Sequence, residues 1–219
     1  MINKYFLAKM NIPAYLKYYL FNKFNQQLPK EYVKLNYIES DGNSYINTGI
    51  IPDNDTGFKV KLSCVVRPTD NFIYGAREGT NGRFVLGVSS QNGNHFYFGY
   101  GNQSGSTNEW YVDVYTEHSL ELNYKNSKTS LIDNKGLVRL NGTLPEFNIN
   151  TTITIFGRNY SGSFVGFRQR VYENKISQNS QLVRNFIPCK RIVDNEIGMY
   201  DLVSKEFFTN AGSGSFIGG

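Results

Sequence analysis

A chain of 219 residues with 15% aromatic residues, among them 16 tyrosines and 16 phenylalanines, favours β-strands over helices, because aromatic rings pack well across a pleated sheet. The formal net charge is +5, but residues 1–34 contain six lysines and one glutamate, so the rest of the chain is neutral. This distribution argues against a nucleic-acid-binding domain, which presents its basic residues as a patch on the folded body. The basic N-terminal segment suits an acidic protein partner instead.

The N-terminal sequence MINKYFLAKMNIPAYLKYYLF is not predicted to be a signal peptide. Lys9, Asn11, Pro13 and Lys17 interrupt it, whereas a signal peptide needs a continuous apolar run of about 7–15 residues. No apolar run approaches the roughly 20 residues that cross a bilayer. We therefore expect synthesis in a cytoplasm, no export by the usual route and no membrane insertion.

Residues 13–27, PAYLKYYLFNKFNQQ, are predicted to form an amphipathic helix. Pro13 suits the first helical position, and apolar residues recur every four positions. Because so short a helix is not stable by itself, its apolar face must dock. The docking surface is either the protein's own body or another subunit, including further copies of the chain. The face that would dock consists of Tyr15, Leu16, Tyr19, Leu20 and Phe24.

From residue 36 to residue 219 the pattern changes to alternating polar and apolar positions, separated by turns rich in Gly, Asn, Asp and Ser. About a dozen such runs follow one another without a long linker, which predicts one all-β antiparallel sandwich or jelly roll. In YIESDGNSYINTGI, a tight turn at Asp41 separates two predicted strands of a hairpin. In GFKVKLSCVV, side chains from Phe58 to Cys64 alternate between core and solvent, so Ser63 is expected to face solvent.

The two cysteines and two histidines of the chain give no sign of a metal or cofactor site. Cys64 lies on the apolar side of its predicted strand, so it is interpreted as a buried thiol rather than half of a disulfide with Cys189. His95 and His118 lack metal-ligand spacing and are expected to be half-exposed strand residues. We therefore predict neither a metal nor a cofactor.

The tract TITIFGRNYSGSFVGFRQRVYENKIS, together with LVRNFIPCKR and IGMYDLVSKEFFTNAGSGSF, resembles the C-terminal half of concanavalin A-like, laminin G-like sandwich domains. Such domains are common in bacteriophage structural proteins and in some gut-bacterial surface proteins. YIESDGNSYINTGI resembles their first hairpin. The resemblance covers about residues 35–219, so it implies a jelly-roll β-sandwich over 36–219 preceded by a separate segment, 1–35.

The resemblance also implies how the sandwich closes. The late strands are expected to complete the sheet beside the first ones, with Met199 or Tyr200 facing Phe207 or Phe208. Asp201 and Ser204 would hydrogen-bond the turn between them. Two glycines, at positions 212 and 214, would supply the positive φ that lets the chain fold back.

Because the related fold includes glucanases, a catalytic carboxylate pair has to be considered. The nearest match is EHSLE, in which Glu117 and Glu121 share a strand face but Ser119 stands where the central aspartate would be. A retaining pair needs carboxyl groups about 5–5.5 Å apart, whereas residues i and i+4 of a regular strand are about 13 Å apart. We interpret both glutamates as solvated and predict that the protein is not an enzyme.

A sugar site is a further hypothesis, because such sites combine an aromatic platform with amide groups held by loops. The stretch SSQNGNHFYFGYGNQSGSTNEWY supplies both kinds of residue. The alternative is that its aromatic residues belong to the core and its asparagines form turns. The candidate sugar-binding residues are Asn94, His95, Tyr97, Tyr100, Asn102, Asn108 and Trp110.

These observations, with the resemblance, predict a bacteriophage virion structural protein that displays its sandwich for surface adhesion or host binding, as a head fibre, capsid decoration or tail-fibre domain. Segment 1–35 would anchor it to other virion proteins, and the protein would be a homo-oligomer, a trimer being one option. A host-surface glycan is the expected ligand, and the virion the expected location. The first alternative is a carbohydrate-binding module of a bacterial surface system. A glycoside hydrolase is the third and least favoured hypothesis.

Overall fold

A computed structural model of the chain describes residues 9–17, 27–67, 71–89, 95–106, 112–125, 128–132, 138–142 and 146–219. These residues form two β-sheets, preceded by a helical turn at 14–17. The predicted antiparallel sandwich with a short N-terminal helix is confirmed. The division into 1–35 and 36–219 stays a prediction. No helix in the described ranges is long and apolar enough to span a membrane.

The described residues contain nineteen strands, most of them short because turn residues interrupt the chain so often. In chain order the strands are β1 (Tyr32–Lys34), β2 (Ile38–Ser40), β3 (Ile46–Asn47), β4 (Thr56–Cys64), β5 (Asn71–Glu78), β6 (Gly82–Ser89), β7 (His95–Tyr100), β8 (Gln103–Ser106), β9 (His118–Lys125), β10 (Lys128–Ile132), β11 (Val138–Gly142), β12 (Thr154–Ile155), β13 (Gly157–Tyr160), β14 (Ser163–Gly166), β15 (Gln169–Gln178), β16 (Gln181–Arg191), β17 (Ile197–Asp201), β18 (Phe207–Phe208) and β19 (Phe216–Gly218).

Within the described ranges, the larger sheet has eleven strands in the order β11-β10-β9-β4-β15-β16-β17-β18, with β2 beside β15, β19 beside β2 and β1 beside β16. The smaller sheet has eight, in the order β14-β13-β5-β6-β7-β8, with β12 beside β5 and β3 beside β12. The strand pairs are antiparallel except β5 with β13, which is parallel. Apolar side chains of both sheets meet in one main core.

The alternation along β4 shows how the sequence builds this core. From Phe58 to Cys64, every second side chain is at most 2% exposed, as predicted. The expectation that Ser63 faces solvent is wrong, because this residue is 0% exposed. Its Oγ lies 3.2 Å from the hydroxyl oxygen of Tyr172, so the two side chains share a hydrogen bond there.

The segment around Asp41 does not form the predicted hairpin. Strand β2 pairs within the larger sheet, whereas β3 pairs with β12 in the smaller one, so the turn carries the chain between sheets. Asp41 fixes this crossing. Its Oδ1 accepts hydrogen bonds from the backbone N–H groups of Asn43 and Ser44, each at 2.9 Å, and its Oδ2 accepts one from Ser215 at 3.1 Å.

The C-terminal strands close the larger sheet as the resemblance implies. Met199 pairs with Phe208 and Tyr200 pairs with Phe207 across β17 and β18. Strand β19 then pairs with β2, so one of the last strands lies beside one of the first. The ends of the sandwich are therefore joined within a single sheet.

The two glycines of the closing loop are required for a reason other than the one implied. Neither Gly212 nor Gly214 is among the glycines with positive φ. A Cβ at Gly212 would collide with the carbonyl oxygen of Asn43, and a Cβ at Gly214 would collide with the carboxylate of Asp41. Both glycines thus permit close approach of the C-terminal loop to the Asp41 turn.

A second apolar cluster, separate from the main core, joins the N-terminal residues to the sandwich. Its buried members are Cys189, Tyr200 and Leu202, and Leu28 and Tyr32 pack against them. The ring centroid of Tyr32 lies 5.0 Å from that of Tyr200. Residues 28–34 are therefore integrated into the sandwich, since β1 also pairs with β16.

Candidate functional site

The outer side of the smaller sheet collects arginine and aromatic side chains, and we call this surface the arginine face. Alternation along β6 creates it: Phe84, Leu86 and Val88 belong to the core, so Arg83 and Gly87 lie on the opposite side. Neighbouring strands place their outward residues in register with these two positions. The members of the arginine face are Phe72, Tyr97, Tyr160, Arg77, Arg83 and Arg158.

Its first row is aromatic. Phe72, Gly87 and Tyr97 are direct partners across β5, β6 and β7. A side chain at position 87 would collide with the Tyr97 ring, so glycine allows that ring to cover the strand. The rings of Phe72 and Tyr97 meet edge to face, with centroids 5.6 Å apart. Because both residues are only partly buried, the pair forms an accessible aromatic surface.

The second row contains Arg77 and Arg83, which are direct partners across β5 and β6. Arg83 is four residues from Gly87 along β6, so the two rows are roughly 13 Å apart. Like charges in this position destabilise a sheet. Arg77 Nε donates to the Gly79 carbonyl oxygen at 2.9 Å. Arg83 Nε donates to the Gly101 carbonyl oxygen at 3.1 Å, and Nη2 donates to that of Asn102 at 2.5 Å. Backbone carbonyls rather than carboxylates therefore hold both side chains.

Arg158 lies between the two rows. Its Cζ is 3.6 Å from the ring centroid of Phe72 and 5.0 Å from that of Tyr160, and Arg77 stacks over the same Tyr160 ring at 5.3 Å. Nε and Nη1 of Arg158 are buried and hydrogen-bond to no described residue. Burial lowers the pKa of Arg158, and the neighbouring positive charge of Arg77 lowers it further.

No carboxylate within the described ranges forms a salt bridge with these arginines. Glu78, which follows Arg77 in sequence, directs its Oε1 elsewhere. That oxygen accepts a hydrogen bond from the backbone N–H of Asn150 at 3.0 Å and another from the hydroxyl of Thr151. The arginine face therefore carries positive charge that the described part of the protein does not neutralise.

The structure brings only part of the predicted sugar site together. Tyr97 lies on the arginine face. Tyr100 is three positions further along β7 and therefore faces the core, where it is 2% exposed and donates its hydroxyl to the Asn54 carbonyl oxygen at 2.8 Å. Asn102 is exposed in the turn after β7, beside Arg83. The other three amide and indole residues lie outside the described ranges: Asn94, Asn108 and Trp110.

Of the six members of the arginine face, sequence reasoning named only Tyr97 and missed Phe72, Arg77, Arg83, Arg158 and Tyr160. A β-bulge between Phe72 and Tyr74 breaks the alternation of β5, so that Ile73 and Tyr74 both enter the core. Arg158 and Tyr160 reach the face through the parallel pairing of β13 with β5, which joins distant parts of the chain. No local pattern in the sequence carries that pairing.

The predicted anchor is described only at its start. Leu16 and Lys17 donate their backbone N–H groups to the Pro13 carbonyl oxygen at 3.0 and 3.1 Å, which forms the helical turn. Tyr15 is 75% exposed and Leu16 is partly buried. The remaining anchor residues lie outside the described ranges: Tyr19, Leu20 and Phe24.

The two glutamates considered as a catalytic pair lie on the exposed face of the larger sheet. Glu117 is 2.5 Å from Lys61 Nζ, and Glu121 is 3.6 Å from Lys59 Nζ. The side chains are 45% and 37% exposed. Each carboxylate thus has its own lysine partner, and its solvated position agrees with the sequence interpretation.

The histidines are buried, at 4% exposure for His95 and 5% for His118, so the expectation that they are half-exposed is wrong. The His118 ring lies edge to face against Phe96 at 5.0 Å. Burial lowers the pKa of His118, although the charge of Asp113 acts in the opposite direction. Within the described residues, no group of three or more His, Cys, Asp and Glu side chains is placed to hold a metal ion.

A second aromatic cluster lies on the outer face of the larger sheet, but its charge is compensated. Arg170 Cζ is 4.4 Å from the Tyr37 ring and 5.1 Å from the Tyr115 ring. Its Nε donates to Glu39 Oε2 at 2.9 Å, and this hydrogen bond raises the pKa of Arg170. Because Arg170 has a carboxylate partner and Arg158 has none among the described residues, the arginine face is the stronger candidate.

A cleft of about 320 Å³ lies between residues 195–197 and the C-terminal loop. Asn210 in its wall accepts hydrogen bonds from the backbone N–H groups of Tyr45 at 3.0 Å and Gly212 at 2.8 Å. Its Nδ2 donates to the Gly214 carbonyl oxygen at 2.6 Å. The polar groups of Asn210 are therefore used to hold the closing loop.

A scan against protein-family models finds no match, and neither does a search of curated proteins. Among solved structures, a candidate carbohydrate-binding protein from Bacteroides ovatus is similar with a TM-score of 0.52 and 14% identity, over 85% of this chain and 60% of its own. Domain 4 of AbnA, a GH43 extracellular arabinanase from Geobacillus stearothermophilus solved with arabinotriose, is similar with a TM-score of 0.36 and 15% identity, over 57% of this chain and 63% of its own. A native heptameric SAP-like pentraxin from Limulus polyphemus is similar with a TM-score of 0.42 and 9% identity, over 69% of this chain and 71% of its own.

At 14% identity the first of these likenesses concerns the fold. The chain spans about 60% of the length of that Bacteroides protein. The fold is that of a concanavalin A-like jelly-roll β-sandwich, and its described residues include a face of aromatic rings and arginines on the smaller sheet.

Proposed function

We propose that this protein is a non-catalytic binding module that recognises carbohydrate on its arginine face. The observation that carries the proposal is the accessible pair of Phe72 and Tyr97, with the Arg158 guanidinium stacked beside it at 3.6 Å from the Phe72 ring. Aromatic rings offer apolar contact to the faces of sugar rings, and fixed polar groups orient the hydroxyls. The fold shared with the candidate carbohydrate-binding protein from Bacteroides ovatus supports this reading.

The dimensions of the face suit a short oligosaccharide. Its two rows are roughly 13 Å apart along the strands, and the four strands from β13 to β7 span roughly 14 Å. An area of this size exceeds one sugar ring. Tyr97 would provide stacking at one end, while Arg83 and Asn102 would bind hydroxyl or acidic groups at the other.

The absence of catalysis is part of the proposal, and the placement of the glutamates supports it. Glu117 and Glu121 each lie beside a different lysine on the opposite sheet. A retaining glycosidase instead needs two carboxyl groups about 5–5.5 Å apart across the scissile bond, and an inverting one needs about 6.5–9.5 Å. Hydrolysis of a β-glucan that disappears in Glu117→Gln would contradict this part of the proposal.

A glycan array tests recognition directly. Wild-type protein should bind a defined subset of glycans, and Tyr97→Ala should weaken binding by up to about tenfold, since an aromatic contact contributes up to about 1.5 kcal/mol and 1.4 kcal/mol is tenfold. Tyr115→Ala is the matched control, because this tyrosine is 58% exposed in the turn before β9, beside Arg170 of the other sheet. Trp110→Ala tests the predicted residue outside the described ranges. Equal binding by wild type and Tyr97→Ala, or no binding at all, would remove the proposal.

A second proposal concerns where the module is displayed. The sequence resemblance to sandwich domains of bacteriophage proteins, together with Tyr15 at 75% exposure on the helical turn, favours a virion structural protein anchored by its N-terminal segment. In this arrangement the protein is a head fibre, capsid decoration or tail-fibre domain. It is made in the host cytoplasm, assembles as a homo-oligomer and presents the arginine face to a host-surface glycan. The same module on a bacterial surface is the alternative.

Truncation separates the anchor from the sandwich, and the structure fixes where to cut. Because Leu28 and Tyr32 pack in the second apolar cluster, the deletion should remove residues 1–27 and leave β1 in place. The truncated protein should stay folded, bind glycan as wild type does, and no longer enter virions or form oligomers. Normal incorporation of the truncated protein into particles would show that the segment is not an anchor.

A further inference from the structure

We infer that the ligand of the arginine face is an acidic glycan, one whose sugar units carry carboxylate or sulfate groups. This inference rests on the proposed function and narrows it to a substrate class. The argument depends on charge rather than on the fold. Three guanidinium groups, those of Arg77, Arg83 and Arg158, share one sheet face, and none forms a salt bridge with a described residue.

The first step of the argument is the direct pairing of Arg77 with Arg83. Like charges directly opposite each other lower the stability of a sheet, and solubility of the outer face does not require that arrangement. Both side chains are held in position by backbone carbonyl oxygens, so they are oriented without being neutralised. An anion bound between them would supply the missing charge.

The second step concerns Arg158, whose Nε and Nη1 are buried without a hydrogen-bond partner in the described part of the chain. A buried donor that lacks an acceptor costs free energy, and a charged donor costs more. The ring stacking of Arg158 against Phe72 and Tyr160 fixes the plane of the guanidinium. Because Nε and Nη1 are buried, Nη2 is the donor that this fixed guanidinium can offer to a carboxylate or sulfate oxygen, and a hydrogen bond between two charged groups is a strong one.

The third step excludes a general basic surface. Beyond residue 34 the chain is neutral in sum, and the comparable guanidinium on the other sheet, Arg170, is bound by Glu39 at 2.9 Å. Arg184 and Arg191 of the larger sheet are also paired with carboxylates, so the three guanidinium groups of the arginine face differ from these in having no carboxylate partner among the described residues. The aromatic row of the arginine face can stack on sugar rings and on nucleobases alike, so the charge has to separate the two ligands. Three arginines on an otherwise neutral body favour an acidic glycan, because a nucleic-acid-binding domain presents an extended basic patch or stripe.

Matched polymers test the inference with the full chain. Polygalacturonate and its methyl ester share one backbone and differ in charge, as do dextran sulfate and dextran, so the two pairs distinguish carboxylate from sulfate. We expect at least tenfold tighter binding to one charged polymer than to its neutral partner, measured by isothermal titration calorimetry. Raising the salt concentration from about 50 mM to about 500 mM should weaken this binding, because salt screens exposed charges.

Variants then assign the binding to the face. Arg158→Gln and Arg77→Gln should each weaken binding to the charged polymer about tenfold, whereas Arg158→Lys should keep part of it. Arg191→Gln is the control, because Arg191 belongs to β16 of the larger sheet, where it pairs with Asp194. If thermal melting shows that Arg158→Gln is unfolded, Arg77→Gln carries the test, since its hydrogen bond to the Gly79 carbonyl oxygen is exposed.

The outcomes are distinguishable. Equal binding of a charged polymer and its neutral counterpart, or binding only of neutral glycans on the array, would overturn the inference of an acidic glycan but leave glycan recognition in place. No binding on the array or to any of the four polymers would overturn both the acidic-glycan inference and the proposed function. Tighter binding to a single-stranded oligonucleotide than to either charged polymer would overturn the inference in favour of nucleic acid. Loss of binding in Arg191→Gln equal to that in Arg77→Gln would place the site elsewhere.

Discussion

Replacing Asp201 tests how the C-terminal hairpin holds the sandwich closed. The side chain of Asp201 is 0% exposed. Its Oδ1 accepts hydrogen bonds from the backbone N–H groups of Asn185 at 2.7 Å and Val203 at 3.1 Å, and its Oδ2 accepts one from Ser204 at 3.1 Å. Arg184 Nη1 lies 3.6 Å from the same Oδ2. Asp201→Ala therefore removes the acceptor of three backbone donors and the partner of a guanidinium.

The size of the effect follows from these contacts. A buried donor without an acceptor costs about 1–3 kcal/mol, and loss of one partner of a buried ion pair costs about 3–5 kcal/mol. The two costs overlap here, because the same carboxylate serves both roles, so we expect the free energy of unfolding to fall by about 4 kcal/mol. For a chain of this length 1 kcal/mol shifts Tm by about 2–4 °C, so Tm should fall by roughly 8–16 °C. Asp201→Asn keeps one acceptor oxygen and should lose less.

Urea unfolding and thermal melting followed by circular dichroism measure this difference. The slope of the urea transition should not change, since the same surface is exposed on unfolding. Asp194→Ala is the control, because Asp194 binds Arg191 on the exposed surface, and it should melt close to wild type. The reasoning fails if Asp201→Ala melts like wild type, or if both alanine variants lose the same stability.

Three further predictions concern the same closing region and the thiols. Burial acts to raise the pKa of Asp41, but hydrogen bonds from backbone N–H groups, Ser215 among them, outweigh it and hold the pKa below its usual value. The ionised Asp41 therefore stabilises the fold at pH values above the usual carboxyl pKa, and this stabilisation is lost as the pH falls through the lowered pKa of Asp41. In Asp41→Asn, the free energy of unfolding should depend less on pH in the acid range, as measured by urea unfolding at several pH values. Gly214→Ala should lower Tm, because its Cβ would collide with the Asp41 carboxylate, and the loss should be less than additive with Asp41→Ala. Burial raises the pKa of Cys64 and of Cys189 to about 12, so Ellman's reagent should label neither thiol until urea unfolds the protein, and rapid labelling of the native chain would contradict this.

The strands of the sandwich could be predicted from the sequence wherever one face of a strand is exposed to solvent and the other is buried. Alternation of this kind marks β4, where Phe58 and Val60 are buried and Lys59 between them is exposed. The closing hairpin could be predicted as well, from the resemblance in its sequence, and the pairing of Met199 with Phe208 confirms it. Both features depend on residues close together in the chain.

The crossing at Asp41 and the arginine face could not be predicted in this way. A turn between two short strands looks the same whether the strands pair with each other or enter different sheets, and only the distant partners of β2 and β3 decide it. On β5 the bulge at Phe72 shifts the alternation by one residue, which moves a side chain to the other face. Arg158 joins the face from a strand some eighty residues away along the chain, through the pairing with Gly75.

The opposed arginines make a final prediction in which stability and binding change in opposite directions. Arg77→Glu would turn the pair with Arg83 into one of opposite charge, and such cross-strand pairs contribute about 0.2–1 kcal/mol. The substitution gives up one exposed hydrogen bond to the Gly79 carbonyl oxygen and the stacking over the Tyr160 ring, and Arg77→Gln gives up the same two contacts. We therefore expect Arg77→Glu to melt about 0.4–4 °C higher than Arg77→Gln at low salt, while binding to the charged polymers is lost. A lower Tm in Arg77→Glu than in Arg77→Gln would mean that repulsion between the two arginines does not destabilise the folded protein. The main reason for assigning an anionic ligand to the arginine face would then disappear.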